Sequence, residues 1–374
     1  MKDLSRDFSL YIHIPFCVSK CAYCDFLSFA DRSCMAKYFV ALCEEIKAKG
    51  KGVKAPVDHI YVGGGTPSLA YEYFPALKKA IDGSFTLRAD AEISMECNPE
   101  SVTPAFVAAA KAFGVNRVSL GVQTLSDPLL KTIGRAHDRK TALAALDLLT
   151  RNFSSVNADV MVGLPGQTKE DVTETLNVLT SYPINHISCY SLILEEGTPL
   201  FAAAERGEFA VDDDFAVDLY DLACEKLKKA GFCRYEISNF CKNSAVCGYN
   251  LSVWQYGEYL GLGLGASSFL RSKSLRLKNT EETSVYLSSN GSAGQTVEQV
   301  SKEEQVKEFV MLGLRLEEGM DLAVFKQIFG FDFLEKYAER VKKLEKTLVV
   351  TPSRIAIAPE YFYVSNTIIQ ELIF

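Results

Sequence analysis

Long apolar runs are missing from this 374-residue chain. No uninterrupted stretch approaches the roughly 20 residues that a membrane-spanning helix needs. An excess of positive charge is missing too: Lys+Arg 40 against Asp+Glu 47 leaves a formal net charge of −7. No global basic field therefore steers the protein to nucleic acid, so none is expected as a partner. The first residues, MKDLSRDFSLYIHIPFC, lack an apolar signal core with a cleavage site. The expectation is a cytoplasmic protein without a membrane span, with contact at a membrane surface left open. Internal repeats and low-complexity tracts are absent. Hydrophobic residues at 48% and charged residues at 23% exclude a wholly disordered chain.

Cysteine, by contrast, is plentiful, and its count of 11 is odd. A cytosolic chain keeps its thiols reduced, so no disulfide framework is expected. Cys34, Cys43, Cys97, Cys189, Cys224, Cys233, Cys241 and Cys247 are scattered, as small buried hydrophobes are. Cys17, Cys21 and Cys24 are grouped and need their own explanation.

From residue 9 to about 194, short apolar runs alternate with amphipathic helical patterns. SLYIHIP, HIYVGG, AEISME, RVSLGVQ, NADVMVGL and HISCYSLIL read as strands. The helices between them imply parallel crossovers. Six units are fewer than a closed eightfold barrel needs, so the expected fold is α/β, a partial (β/α)6 barrel. Functional groups then belong at the C-terminal ends of the strands. Beyond residue 211 the rhythm changes to an α+β extension over 212–295. There CRYEISNFC and EYLGLGLGASSFL read as strands around a loop, and NTEETSVYLSSNGSAGQT reads as a polar linker. Residues 296–374 carry helical patterns and then a hairpin, LVVTPSRIAIAP, in winged-helix-like order. Three domains are thus expected: 1–211, 212–295 and 296–374. The glycines of Gly261-Leu-Gly263-Leu-Gly265 lack a βαβ frame and read as strand and turn, not a dinucleotide loop.

The spacing Cys17-Val-Ser-Lys-Cys21-Ala-Tyr-Cys24 places three thiolates in one short loop. Three can bind three irons of a [4Fe–4S] cluster and leave the fourth iron open, where four protein cysteines would close it. A zinc site is the alternative and wants a fourth ligand, which neither His13 nor the remote cysteines obviously supply.

YIHIPFCVSKCAYCDF resembles the cluster loop of radical S-adenosylmethionine (SAM) proteins. More narrowly, the chain resembles the oxygen-independent coproporphyrinogen III oxidase-like family, with its heme-chaperone branch HemW. YVGGGTPS, MECNPES, NRVSLGVQTL with IGRAHD, NADVMVGLPGQT and YEISNF match that family in order, over about residues 9–270. The resemblance implies a cluster on Cys17, Cys21 and Cys24, whose open iron holds the SAM amine and carboxylate, and a 5′-deoxyadenosyl radical on cleavage. It implies a SAM site from Tyr11, Tyr23, Gly64, Gly65, Thr66, Glu96, Gln123, Arg135 and Asp159. Arg135 offers a planar fork suited to a carboxylate. His137 matches the family pattern and reads as structural.

Two features favour the chaperone branch. Only 16 residues precede Cys17, and Phe26 stands where the oxidase tends to carry a further cysteine. The resemblance then implies a heme-binding protein that hands heme to an acceptor protein, without coproporphyrinogen oxidase activity. The alternative is a radical SAM oxidoreductase acting on a tetrapyrrole. The family's heme-linked H-N-x-x-Y-W segment is altered here, with Tyr249 for His and Val253 for Tyr, while Asn250 and Trp254 are kept. Two alternatives stand: Tyr249 or Cys247 replaces His as the iron ligand, since both residue types ligate heme, or the chain has lost that heme site.

Overall fold

The computed structural model describes residues 8–374. Six strands lie side by side in chain order and all run parallel. They are β1 (Phe8–Ile14), β2 (Val57–Gly64), β3 (Leu87–Cys97), β4 (Arg117–Gln123), β5 (Ser155–Val162) and β6 (His186–Ser191). Helices α1 (Met35–Gly50), α2 (Phe74–Asp82), α3 (Pro104–Phe113), α4 (Asp127–Thr132), α5 (Arg139–Thr150) and α6 (Lys169–Ser181) fill the crossovers. Local chemistry sets their ends. The Thr103 hydroxyl accepts from the Phe106 amide, Pro104 opens α3, and Gly114 closes it at φ 98°. A capping box of Thr168 and Asp171 starts α6.

Each strand has two unlike faces. Leu10, Ile12 and Ile14 of β1 join Phe39, Leu42 and Ile46 of α1 in one dry core. The alternate positions of β3 to β6 carry polar side chains into a central lumen. This is the period of two expected for a pleated strand.

The chain then extends the sheet at both ends. After α7 (Pro199–Glu205) and α8 (Asp213–Lys229), the hairpin β7 (Cys233–Arg234) and β8 (Asn239–Cys241) adds antiparallel to β6. Next come α9 (Gly248–Trp254) and β9 (Glu258–Leu262), which pairs parallel with β1 on its other side. β10 (Ser267–Leu270), β11 (Leu275–Lys278) and β12 (Thr296–Gln299) continue antiparallel to a twelve-stranded sheet. The Gly261–Gly265 run is strand and turn, as expected. The expected polar linker differs: it holds a helix, α10 (Thr283–Ser289). Tyr286 anchors it, buried against the Tyr38 ring and donating to Glu45 Oε2 at 2.6 Å.

Residues 302–373 form α11 (Lys302–Gly313), α12 (Leu322–Phe329), α13 (Phe333–Lys336), α14 (Ala338–Lys343) and α15 (Ser365–Ile373). A small sheet of β13 (Met320–Asp321), β14 (Leu348–Val350) and β15 (Arg354–Ile357) packs with them. Phe309, Phe325, Phe329 and Phe333 centre a second core. Among the described residues no helix is long and apolar enough to cross a membrane.

Candidate cofactor site

The loop after β1 is held at three points. Its base closes through Phe29 N to Pro15 O at 2.9 Å and Cys17 N to Phe29 O at 3.1 Å. Its middle is pinned by Ala22 N to Ile133 O and by Leu200 N to Ala22 O. This turns Cys17, Cys21 and Cys24 toward one cavity of about 320 Å³, with Phe26 exposed at its edge. All three thiols are free. Burial pushes the Cys17 and Cys24 thiols up, so ionising them inside this cavity calls for a compensating cation. Among the described residues no three His, Cys, Asp or Glu side chains gather tightly enough for one metal ion.

Across the cavity, Glu96 leaves the end of β3. Its carboxylate accepts from Tyr61 Oη at 2.7 Å and from the Gly64 amide at 3.0 Å. Burial nevertheless pushes it up to about 7. Thr66 is buried beneath the cavity, where its hydroxyl accepts from Asn98 Nδ2 at 2.8 Å. Asn98 Oδ1 accepts from Arg135 Nη2 at 2.7 Å, and the Gly121 carbonyl accepts from the same nitrogen at 2.7 Å. Any side chain at 121 would collide with this pair, its Cβ falling 2.6 Å from Asn98 Oδ1. Arg135 Nη1 lies 3.5 Å from Cys21 Sγ, and its Nε is buried with no partner. The fork is thus partly committed to protein, with one donor left over beside the cysteine loop. Gln123 ends β4 at φ 66°, beyond a register shift, and its Oε1 accepts from Tyr190 Oη at 3.1 Å. That rare conformation costs strain, which the fold supplies at this one strand end.

Deeper in the lumen runs a chain of hydrogen bonds with a forced direction. Asn157 Nδ2 donates to Asp159 Oδ1 at 2.6 Å and to Ser119 Oγ at 2.7 Å. Asn157 Oδ1 then accepts from His186 Nδ1 at 2.6 Å. His186 Nε2 is left to accept from Tyr235 Oη at 2.9 Å, and Tyr235 Oη accepts from the Cys247 amide. Burial keeps His186 neutral and raises Asp159. His137 is buried away from the cavity, against Val122 O at 3.3 Å.

Beside α9 the lumen adjoins a second cleft of about 270 Å³, and Ser238, Asn239 and Asn250 border both. Cys247 faces the lumen, its sulfur 3.8 Å from Glu92 Oε1, and burial pushes its thiol up to about 11. Tyr249 faces the second cleft beside Asn250, Val253, Trp254 and Tyr259. Its ring packs 5.0 Å from that of Tyr61 and 6.2 Å from that of Tyr11, and burial raises its phenol.

Of the residues expected from sequence, Tyr23, Gly64, Gly65, Glu96, Gln123, Arg135, Asp159 and Cys247 line the lumen with the three cysteines. Thr66 lies just under it, Tyr11 stands behind Tyr61, and Tyr249 belongs to the second cleft. Asp159 sits in the middle of β5 (Ser155–Val162), further from its end than Glu96 and Gln123 are from theirs. Sequence reasoning missed Tyr61, Asn98, Arg117, Ser119, Asn157, His186, Ser188 and Tyr190.

The sequence profile of the Radical SAM superfamily matches residues 11–179, and that of the HemN C-terminal domain matches residues 300–351. The heme chaperone HemW of Mycobacterium tuberculosis is 35% identical over 85% of this chain and 84% of its own. The heme chaperone HemW of Lactococcus lactis is 32% identical over 99% of this chain and 98% of its own. Coproporphyrinogen III oxidase (HemN) from Escherichia coli has the same fold, with a TM-score of 0.84 over 98% of this chain and 90% of its own, at 22% identity.

Proposed function

The chain belongs to the radical SAM superfamily and, within it, to the family of the heme chaperone HemW; from that membership we propose that it binds heme and passes it to an acceptor protein. The superfamily implies a [4Fe–4S] cluster and SAM. In this reading Cys17, Cys21 and Cys24 hold the cluster, and when bound it supplies single electrons to SAM at its open iron. Family membership carries the heme reading, and the convergence of the cysteine triplet and the inward polar groups on one cavity supports its cluster and SAM part.

The chain's own residues divide the work. Glu96 and Asp159 present carboxylates to SAM amine or hydroxyl groups. Gly64 and Gly65 bring backbone close to the same ligand. Arg135 places a permanent cation between Cys21 and the cavity, where it favours a thiolate and offers Nε to a carboxylate. Tyr23 shields the loop. Heme docks at α9, whose residues line the second cleft, and Phe26, where the oxidase tends to carry a cysteine, goes with coproporphyrinogen left unprocessed.

The test is an anaerobic titration of cluster-reconstituted protein with hemin, followed by mixing with apomyoglobin as a generic acceptor. Saturable binding and transfer to apomyoglobin are expected. Coproporphyrinogen III with SAM and a reductant should yield no protoporphyrinogen by chromatography. Turnover there, without hemin binding, overturns the chaperone reading.

A further inference from the structure

Glu236 is 1% exposed, and neither oxygen of its carboxylate makes a well-aligned hydrogen bond; the Ser238 and Asn239 amides and the Asn239 side chain lie near it without that alignment. Asn239 Oδ1, also buried, is likewise unpaired. The charge of Arg315 reaches Glu236, but that guanidinium donates to Asn366 and lies over the Trp254 ring. A buried carboxylate met only by poorly aligned donors is costly, and a native structure keeps one where something else completes it. Glu236 lines the second cleft, together with Tyr249, Val253, Trp254 and Tyr259. Flat aromatic walls suit a planar macrocycle. Ferric iron in a dianionic porphyrin leaves one net positive charge at the centre of that plane, and carboxylate oxygen is a hard donor matched to it.

We infer that Glu236 is the side chain that ligates ferric heme iron in this cleft, an inference that rests on the heme-binding reading above. The two expected ligands are worse placed. Cys247 is buried and lines the lumen but not the second cleft, and the Tyr249 ring is packed among Tyr11, Tyr61 and Tyr259. Ligation asks only that Glu236 rotate toward a cleft it already borders. One bond forms, from a carboxylate lone pair to iron, and no electron changes hands.

The experiment is a titration of the full chain with hemin and, separately, with metal-free protoporphyrin IX, read by absorption and electron paramagnetic resonance. Glu236→Gln should weaken hemin binding by about tenfold or more and change the ferric spectrum, while protoporphyrin binding stays within about twofold. Tyr249→Phe and Cys247→Ala should keep the wild-type spectrum. Thermal melting checks each fold. If the Gln variant unfolds, Glu236→Asp serves instead and should bind hemin with a shifted spectrum. Wild-type hemin affinity and spectrum in the substituted protein overturn the assignment. So does an equal loss of protoporphyrin, which would make Glu236 a residue that shapes the cleft. If wild type binds no hemin, the heme-binding reading itself falls, a result distinct from either of these.

Discussion

Along β4, Val118, Leu120 and Val122 are buried in the core shared with the helix layer, while Arg117, Ser119, Gly121 and Gln123 border the lumen. The same alternation runs through β3, β5 and β6. The two faces obey different physics. Burying an aliphatic side chain on the outer face contributes about 1.5–3 kcal/mol. A hydrogen-bonded polar group on the inner face contributes about 1 kcal/mol net, because it gives up water to gain its partner. The outer face therefore holds the sheet together. The inner face can be spent on ligand chemistry, since little of the stability depends on it.

The strongest break in that division should come from the cysteine loop. Cys17→Ser, Cys21→Ser or Cys24→Ser should each abolish the bound iron and sulfide of anaerobically reconstituted protein. Cys189→Ser, a buried cysteine of the main core, should leave both at wild-type levels. Next is Leu120→Ala on the outer face, which should cost about 2–5 kcal/mol in urea unfolding and leave the SAM affinity of the folded fraction unchanged. Arg135→Ala on the inner face should do the reverse: SAM binding by calorimetry weakens by about 2 kcal/mol, or roughly thirtyfold, with a smaller change in melting.

Glu96→Gln sharpens the comparison most finely. The folded carboxyl titrates at about 7, above its ordinary value of 4.5. The folded state thus binds the proton more tightly than the unfolded one, and stability falls as pH rises from about 4.5 through 7. Glu236, likewise raised to about 7, adds to the same slope. The Gln variant should melt less steeply with pH across this window, and at pH 8 without SAM it should be the more stable protein.

The parallel strands were legible because each is an apolar run bounded by turn signals. The lumen was legible in part. Ser119, Asn157 and His186 occupy inward positions in β4, β5 and β6, so their signal lies in the alternation of the pleat rather than at the C-terminal strand ends. Asn98 carried no such signal, since it follows β3 and matters only because the loop bearing Arg135 comes to meet it. The helices α9 and α10 have seven residues each, too short for amphipathic periodicity to speak. What holds α10 is Tyr286 reaching Glu45, a contact no local pattern reports. Cys247 and Tyr249 turn to different sides at the start of α9, and no spacing rule could show that two residues so close in sequence border different parts of the adjoining cavities.

One pairing has a consequence in time. Strand β1, which leads directly into the cysteine loop, is flanked by β2 on one side and by β9 on the other, with Phe8 opposite Glu258. A ribosome adding about 5–20 residues per second needs roughly 10–50 s to pass from one to the other. Through that interval the three thiols are already made, while the wall that finishes their strand is not. For a cluster held by the triplet, lasting insertion is thus expected in the released or nearly complete chain. During synthesis the triplet depends on a reducing surrounding, not on the fold, to remain fit for iron.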